Sequence, residues 1–349
     1  MKKYKGILAA IISGAMIFSL SGCGSKKNGL IEALQKNNNI NSFAYKAKAE
    51  IKVNGQVDEN LKGLDKFTLE LDGKSSVEKN KLFKTKANIK LGAAGISTDT
   101  DMIEEIVMDG DKVNLKMFLK IPEILKIQAG TALQNIDYVY VNSESLEKMN
   151  KDMSKDGQPS KNMNIEDVTK KAGNVQESIL KFIKEYTDEN GKSVIEDSGK
   201  QKVVVNGTEE ELQTYKIKID NEGVKKLLKA YVKDEKRVKE VEAYLKALKV
   251  EGTNKEQTLN KDELNKKIDE MKNIFGKNGA VLNFAVKDGY VIQEKMNLDL
   301  LIDNESVNID LVYDIFDINK PVDIKIPNPS EIKAVDLVDL APKVLSGVK

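Results

Sequence analysis

The stretch Phe43-Ala-Tyr-Lys-Ala-Lys-Ala-Glu-Ile-Lys-Val53 carries apolar or small side chains at its odd positions and mostly charged side chains at its even positions. Successive side chains of a β-strand point to opposite faces, so this period of two predicts a strand with one apolar and one solvated face. One-sided strands of this kind are typical of antiparallel sheets. The run is longer than the average strand of about five or six residues, which indicates a large sheet.

The same alternation recurs in both halves of the chain and predicts a meander of antiparallel strands. The further strands are predicted at 67–71, 83–91, 113–117, 215–219, 282–286, 296–302, 307–313 and 322–326. Between Met108 and Val113, the pair Asp109-Gly110 predicts a two-residue hairpin turn. A calcium loop is not favoured there, because the spacing of an EF-hand and its closing glutamate are absent.

Amphipathic helices are predicted between the two strand-rich halves. Apolar residues recur there at intervals of three and four, which is the pattern of a helix with one buried face. The stripes run over 224–232, 241–248 and 264–275, and a further helix is predicted within 165–188. These helices would cover the apolar face of the sheet, so the sequence predicts an α+β fold. We favour one domain with a helical insertion at about 165–276, and two sheet domains are the alternative.

The N-terminus has the features of a bacterial lipoprotein signal. Lysines at positions 2, 3 and 5 precede an apolar run from Ile7 to Leu20, and the run ends in Leu20-Ser-Gly-Cys23, which contains the one cysteine of the chain. The run is too short to span a bilayer, which takes about 20 apolar residues. Leu-Ser-Gly-Cys closely resembles the lipobox of bacterial lipoproteins, which implies a diacylglyceryl thioether on Cys23 and cleavage before it. A lone buried cysteine behind an ordinary secretory signal is the alternative.

Composition limits the classes of partner. The 349 residues include 56 Lys and Arg against 55 Asp and Glu, and removal of 1–22 takes three lysines away and leaves a net charge of −2. A balanced charge gives no electrostatic case for nucleic acid as a partner. With Cys23 lipidated, no disulfide is expected, so stability must come from packing.

The sequence favours a protein that is not an enzyme. The absence of histidine excludes Ser-His-Asp triads and histidine ligands to metals, and no cysteine remains as a nucleophile. Ser-x-x-Lys patterns begin at Ser145, Ser178 and Ser330, but the Lys-Thr-Gly and Ser-Asp-Asn elements that accompany such a site in penicillin-binding proteins are missing. Phosphate-binding glycine loops are missing as well. We therefore predict no catalytic residue, no cofactor and no metal.

Several motifs are spread over most of residues 29–330. They are a short leading helix at 29–36, an Asn-Ser-Phe entry at 41–43 into the long alternating strand, the hairpin Ile-Val-Met-Asp-Gly-Asp-Lys-Val at 106–113, and a closing Asn-Lys-Pro-Val-Asp-Ile-Lys-Ile-Pro at 319–327. Together with the lipobox, this order of elements resembles LolA-like lipoproteins of Gram-positive bacteria, a group that includes lipid carriers of the mycobacterial LppX and LprG type. The resemblance implies a large curved antiparallel β-sheet, a half-barrel, with helices packed on its concave face and acyl chains held between the two layers.

The same resemblance identifies side chains that would line such a ligand site. Small residues among large ones are what a cavity needs, although closely packed helices need them too. The candidate ligand-binding residues are Tyr45, Ala47, Phe83, Ala87, Ile89, Leu115, Met117, Tyr215, Ile217, Leu298 and Leu300. The sequence reveals no polar group that would bind a lipid head.

The resulting layout is a signal peptide at 1–22, a lipidated tether at 23–28, a LolA-like domain at 29–330 and a C-terminal tail at 331–349. We expect a protein anchored by its diacylglyceryl-cysteine to the extracytoplasmic face of the cell membrane, which binds or carries a lipid or another hydrophobic ligand. The alternative is a non-enzymatic surface interaction or chaperone-like module of an envelope complex, with a protein partner that the sequence does not identify.

The anchor can be tested by replacing Cys23 with alanine. We expect the wild-type protein to begin at Cys23 and to carry the mass of two or three acyl chains, because the diacylglyceryl thioether supplies two chains and the amine freed by cleavage can take a third. Two chains bind a membrane far more firmly than one. The Cys23→Ala protein should carry no acyl mass. Intact-mass spectrometry of the membrane fraction makes the measurement, and a wild-type protein with a free Cys23 thiol would contradict the prediction.

Overall fold

The computed structural model describes residues 29–54, 65–78, 81–109, 112–129, 133, 135–146, 148, 165–247, 261–302 and 305–340. The predicted signal peptide, Cys23 and the tether lie outside this part of the chain, as does the predicted turn residue Gly110. No helix of the described residues is long and apolar enough to cross a membrane.

The fold belongs to the α+β class and contains a large, mostly antiparallel sheet, as the alternation predicts. The elements are α1 (Gly29–Asn37), β1 (Ser42–Asn54), β2 (Lys66–Glu78), β3 (Leu82–Ala93), β4 (Ile96–Asp109), β5 (Lys112–Lys120), α2 (Glu123–Ala129), β6 (Tyr138–Asn142), α3 (Ile165–Glu185), β7 (Ile195–Val205), β8 (Thr208–Ile219), α4 (Asn221–Tyr231), α5 (Glu235–Ala247), α6 (Lys261–Asp269), β9 (Phe275–Lys287), β10 (Tyr290–Ile302), β11 (Glu305–Phe316) and β12 (Ala334–Asp336). The twelve strands form one sheet in the order β12-β6-β5-β4-β3-β2-β1-β11-β10-β9-β8-β7. Only the β12–β6 pair is described as parallel.

Tight hairpins connect many of these strands. The turns Ala94-Gly95, Asn206-Gly207 and Asp288-Gly289 have positive φ at both residues. This is the backbone of a two-residue type I′ turn, whose twist matches that of the flanking strands, and glycine adopts it without a steric penalty. Between β4 and β5, Asp109 pairs with Lys112, so the predicted hairpin is formed, but Asp109 belongs to β4 and not, as the sequence predicted, to the turn.

The described residues divide into two compact units. Unit 1 contains the described residues within Met1–Asn39, Glu50–Val57 and Met163–Asp314. Unit 2 contains the described residues within Ile40–Ala49, Asp58–Asn162 and Ile315–Lys349. Unit 1 therefore contains β7–β10 and most of the helices, and unit 2 contains β2–β6 and β12.

The structure differs from the sequence prediction within 165–276. This stretch is not purely helical, because the hairpin β7–β8 lies between α3 and α4. The apolar stripe 264–275 is not one helix either, since α6 ends at Asp269 and Phe275 begins β9. The Asn221 side chain accepts hydrogen bonds from the amides of Ile274 (2.9 Å) and Phe275 (3.0 Å) and donates one to the Phe275 carbonyl (2.8 Å). These bonds fix the extended backbone where a helix was expected.

Two further differences lie near the C-terminus. The strand predicted at 322–326 is not formed, and the chain there has no regular secondary structure. Pro321, Pro327 and Pro329 surround it, and proline cannot donate to a strand ladder. The predicted tail at 331–349 is partly in the sheet, because β12 pairs with β6 in parallel.

Two of the motifs that carry the family resemblance contact each other within unit 2. The amide of Asn41 donates to Asn319 Oδ1 (2.8 Å), the Ser42 hydroxyl donates to the Lys320 carbonyl (2.6 Å), and the Asn319 amide donates to the Ser42 carbonyl (2.7 Å). The start of β1 is therefore fixed to the segment that follows β11.

The main core of unit 1 lies between the helices α1 and α3 and one face of β7–β10. Its buried members are Leu30, Ile31, Ala33, Leu34, Leu180, Ile195, Tyr215, Ile217, Phe284 and Val291. Burial of a large aliphatic side chain contributes about 1.5–3 kcal/mol, so this cluster accounts for much of the stability of the unit.

A buried asparagine attaches α1 to the sheet. The pairing of β10 with β11 begins at Gln293, and β10 has an irregularity between Val291 and Gln293 where it faces β9. The side chain of Asn37, 7% exposed, donates to the Val291 carbonyl (2.8 Å) and accepts from the Val291 amide (3.0 Å). The Asn37 carboxamide thus forms the two backbone hydrogen bonds of Val291 that a neighbouring strand would otherwise form.

The one arginine of the chain joins the helices of unit 1. The Arg237 guanidinium on α5 lies over the rings of Phe182 (4.9 Å) on α3 and Tyr231 (5.7 Å) on α4. It also forms ion pairs with Glu185 and Asp234. A planar, weakly hydrated cation suits this position between aromatic rings better than a lysine would.

Replacement of Asn37 by alanine should lower the free energy of unfolding by about 2 kcal/mol, because it leaves two buried backbone groups of Val291 without partners. Chemical denaturation of both proteins makes the measurement. The control is Asn39→Ala, since Asn39 is exposed and its replacement should change the free energy by less than about 0.5 kcal/mol. Equal effects of the two replacements would contradict the role of Asn37.

Candidate ligand-binding site

Seven of the predicted ligand-binding residues lie on one apolar face of unit 2. The cross-strand pairs extend in rows over the sheet, and residues in register share a face. One row is Val77, Phe83, Ile106 and Leu115, and a second is Gly73, Ala87, Met102 and Leu119. Tyr45 belongs to this face because its ring lies against the position that a Gly73 Cβ would occupy. The seven residues are Tyr45, Ala47, Phe83, Ala87, Ile89, Leu115 and Met117.

This face, which we call the apolar face of unit 2, is only partly covered. Tyr45 and Ala87 are buried, whereas Phe83, Ile89 and Leu115 keep part of their surface exposed. At one end of the strands, three large apolar side chains are more open still, namely Phe67 (37% exposed), Leu91 (47%) and Ile96 (62%). Near β6 and β12, the face is covered by the cluster of Ile121, Leu133 and Leu340 with Ile136, Val139 and Val335.

The opposite face of unit 2 is the solvated one. It carries ion pairs between neighbouring strands, among them Lys48–Glu70 (2.9 Å) and Lys116–Glu105 (3.2 Å). Two adjoining open clefts of about 400 and 380 Å3 lie on this face and share Glu105, Lys116 and Tyr140. The Tyr140 ring stacks on the buried Phe118 ring, with 4.7 Å between centroids.

A short row of polar side chains crosses the largely apolar face of unit 2, and the sequence did not predict it. Ser75 is in register with Thr85, and Thr85 is in register with Glu104. The hydroxyls of Ser75 and Thr85 are hydrogen-bonded at 3.1 Å. We call Ser75, Thr85 and Glu104 the polar row.

Glu104 is half-buried, and burial raises the pKa of its carboxyl. No hydrogen bond or ion pair to Glu104 is found among the described residues. Burial also raises the pKa of Tyr45, with the charges of Glu104 and Asp72 as lesser causes. Gly73 makes room for this ring, because a Cβ at Gly73 would lie 2.8 Å from the Tyr45 Cζ and Oη atoms.

The other four predicted residues lie in the interior of unit 1. Tyr215 and Ile217 are packed against α1 and α3, and Leu298 and Leu300 belong to a cluster that includes Val224 of α4. Protein side chains therefore already cover this face.

Glu294 carries a carboxyl on the apolar face of unit 1. Glu294 pairs in register with Phe284 on one side and with Tyr313 on the other. Burial raises the pKa of its carboxyl to about 7. Within the part of the chain that the structure describes, Glu294 forms no hydrogen bond or ion pair.

The Ser-x-x-Lys serines have structural contacts. The Ser145 hydroxyl is 1% exposed and lies within hydrogen-bonding distance of Asn142 Oδ1 (2.9 Å) and Asp336 Oδ2 (2.5 Å). It connects the turn after β6 to β12. The Ser178 hydroxyl contacts the Tyr231 hydroxyl (3.3 Å), and the Ser330 hydroxyl donates to Asn328 Oδ1 (2.9 Å).

None of the protein-family models, curated proteins or solved structures compared with this chain matches it. The resemblance to LolA-like lipoproteins therefore stays a prediction. In the described ranges, no group of three or more acidic, histidine or cysteine side chains is placed to bind a metal ion.

The raised pKa of Glu294 predicts a pH-dependent stability. The folded protein favours the neutral carboxyl, so its free energy of unfolding should fall as the pH rises from about 4.5 to about 7, the ordinary and the raised pKa. Glu294→Gln removes the ionisation and should raise the stability at pH 8 by about 2 kcal/mol, with little effect at pH 4.5.

Denaturation at the two pH values makes this measurement. The control is Glu196→Gln, an exposed glutamate of β7 that should change stability equally at both pH values. A gain for Glu294→Gln that does not depend on pH would contradict the assignment.

Proposed function

We propose that this protein is a lipoprotein of the extracytoplasmic face of the cell membrane, and that the apolar face of unit 2 binds a lipid or another hydrophobic ligand. The predicted diacylglyceryl group on Cys23 would hold the protein at the membrane. No catalytic step is part of this proposal.

The observation that carries the proposal is the incomplete cover of the apolar face of unit 2. The strands β2–β5 present large apolar side chains in register over several rows, and many of these side chains retain exposed surface. Apolar surface costs about 25 cal/mol per Å2 when it is left in water, so a face of this size favours an apolar ligand. The corresponding face of unit 1 is filled by α1 and α3.

The form of the face also suits an acyl chain. Ala47 and Ala87 are small residues beside the larger Phe83, Ile89 and Met117. Small side chains leave depressions between large ones, and a flexible hydrocarbon chain can fill such a surface closely. Charged side chains occupy mainly the opposite face, where they form ion pairs.

A charge placed on the apolar face should abolish binding. Ile89→Lys would put an ammonium group among apolar side chains, and we expect it to weaken uptake of a fluorescent fatty-acyl probe by at least about tenfold, because an unpaired charge on a buried surface costs several kcal/mol. The matched control is Asn88→Lys, which adds the same side chain to the solvated face of the same strand, opposite Asp101. Circular dichroism should show that both variants are folded.

Equal uptake by the two variants, or no uptake by the wild-type protein, would contradict the proposal.

A second candidate function is an interaction module of an envelope complex. The helix α2 favours it, because Ile124 (41% exposed), Leu125 (48%) and Ile127 (79%) all present apolar surface to solvent. Exposed apolar clusters are common at protein interfaces. On this hypothesis the wild-type protein takes up no acyl probe, so the experiment above separates the two functions.

A further inference from the structure

We propose that the polar row of unit 2 binds the head of the ligand, and that this head is uncharged and bears a hydroxyl group. This inference rests on the proposed function, since it needs a hydrophobic ligand on the same face. It identifies the class of ligand as a neutral, hydroxylated amphiphile rather than a fatty acid or another anionic lipid.

Glu104 lies among uncharged side chains on the apolar face of unit 2. Its neighbours in register are Thr85 on β3 and Met117 on β5. Its neighbours along the strand on the same face are Met102 and Ile106. On this face of β2–β6, Glu104 is the one charged side chain among the described residues, and a charged group is expensive to hold on an apolar surface without a function.

The Glu104 carboxyl has no hydrogen-bond or ion-pair partner among the described residues, whereas the next residue in the strand, Glu105, has an ion pair with Lys116 on the opposite face. Buried polar groups in folded proteins nearly always have a hydrogen-bond partner. A ligand that covers the half-buried Glu104 carboxyl must therefore supply one, and a ligand hydroxyl would be the donor.

The groups next to Glu104 in the polar row can bind a hydroxyl. The Ser75 and Thr85 hydroxyls can each donate and accept, and they lie in the same row as the carboxyl. A ligand hydroxyl could therefore donate to Glu104 and accept from Thr85. An acyl carboxylate could only accept and would meet a second carboxylate, and such a juxtaposition of like charges costs several kcal/mol.

Burial raises the pKa of the Glu104 carboxyl, because its charged form loses water on the apolar face. A charged head placed beside it would lose its own water on the same apolar surface, and this costs an ionised group far more than it costs a hydroxyl. The site therefore favours a hydroxylated head over an amine as well as over a carboxylate.

The experiment uses the full mature lipidated chain in phosphatidylcholine vesicles, with three photoreactive probes of the same chain length. The probes are a diazirine-bearing hexadecanol, hexadecylamine and hexadecanoic acid. After irradiation, digestion and mass spectrometry measure the labelling of peptides from β2–β5. For each variant, the labelling by one probe is divided by the labelling by another, and these ratios are compared among variants. Differences in how the probes partition into the vesicles then cancel.

For the wild-type protein we expect labelling by the alcohol to exceed labelling by the acid by at least about tenfold. In Glu104→Gln this ratio should fall by at least about fivefold, mainly because the acid is no longer repelled. The matched control Glu105→Gln, which changes the next residue on the solvated face, should keep the wild-type ratio. A second variant, Thr85→Val, should weaken labelling by the alcohol and leave labelling by the acid unchanged.

The outcomes separate the two proposals. If all three probes label β2–β5 equally, or if Glu104→Gln keeps the wild-type ratio, the head-group inference is wrong while the hydrophobic site stands. Preferential labelling by the amine would overturn the assignment of a neutral head. If no probe labels these strands in any variant, the proposed function itself fails.

Discussion

A long antiparallel sheet with one apolar face must shield that face from water, and this requirement shapes both units of the molecule. In unit 1, α1 and α3 supply the cover, and the packing is close enough to bury ten side chains in one cluster. The attachment is specific as well as apolar, because the Asn37 carboxamide bonds to both backbone groups of Val291. In unit 2, protein side chains cover the part of the face near β6 and β12, and the strands β2–β5 keep exposed apolar surface. This difference between the units is the physical basis for the proposed ligand.

Among the residues that the structure describes, each apolar face also carries a carboxyl without a hydrogen-bond or ion-pair partner. Glu294 lies in register between Phe284 and Tyr313, and burial raises its pKa to about 7, which makes it a cost to stability at neutral pH. Glu104 has a different setting, since two hydroxyls share its row. The same physical feature thus has two consequences. In unit 1 it predicts pH-dependent stability, and in unit 2 it suits recognition of a polar head.

Much of the sheet could be predicted from sequence because alternation reports the burial of each strand directly. Phe43–Val53 and Phe83–Leu91 alternate strictly, and both are strands. The strand β7 was not predicted, because its register shift between Asp197 and Gly199 interrupts the period of two. The strand β12 is only three residues long and pairs in parallel, so it leaves no local pattern. The stripe ending at Phe275 resembled a helix, and the decisive contacts come from Asn221, which is distant in sequence.

In the candidate site, too, some features follow from local sequence patterns and others depend on contacts between distant residues. The side chains on the apolar face follow from the period of two alone. The polar row does not, because it depends on the register of β2 with β3 and of β3 with β4, and sequence patterns within single strands do not specify register. In β4, the consecutive residues Glu104 and Glu105 look equivalent in the sequence, yet they point to opposite faces. One forms an ion pair with Lys116 and the other has no partner among the described residues.

The central claim is that the apolar face of unit 2 holds a hydrophobic ligand. Its most direct test is native mass spectrometry, with lipid extraction, on the chain from Gly24 onwards, purified from its own host without detergent. The account predicts a stoichiometric bound amphiphile, released on denaturation, and its chemical class would follow from the extracted lipid. A protein of bare polypeptide mass, with no extractable lipid and no uptake of added amphiphile, would contradict the account.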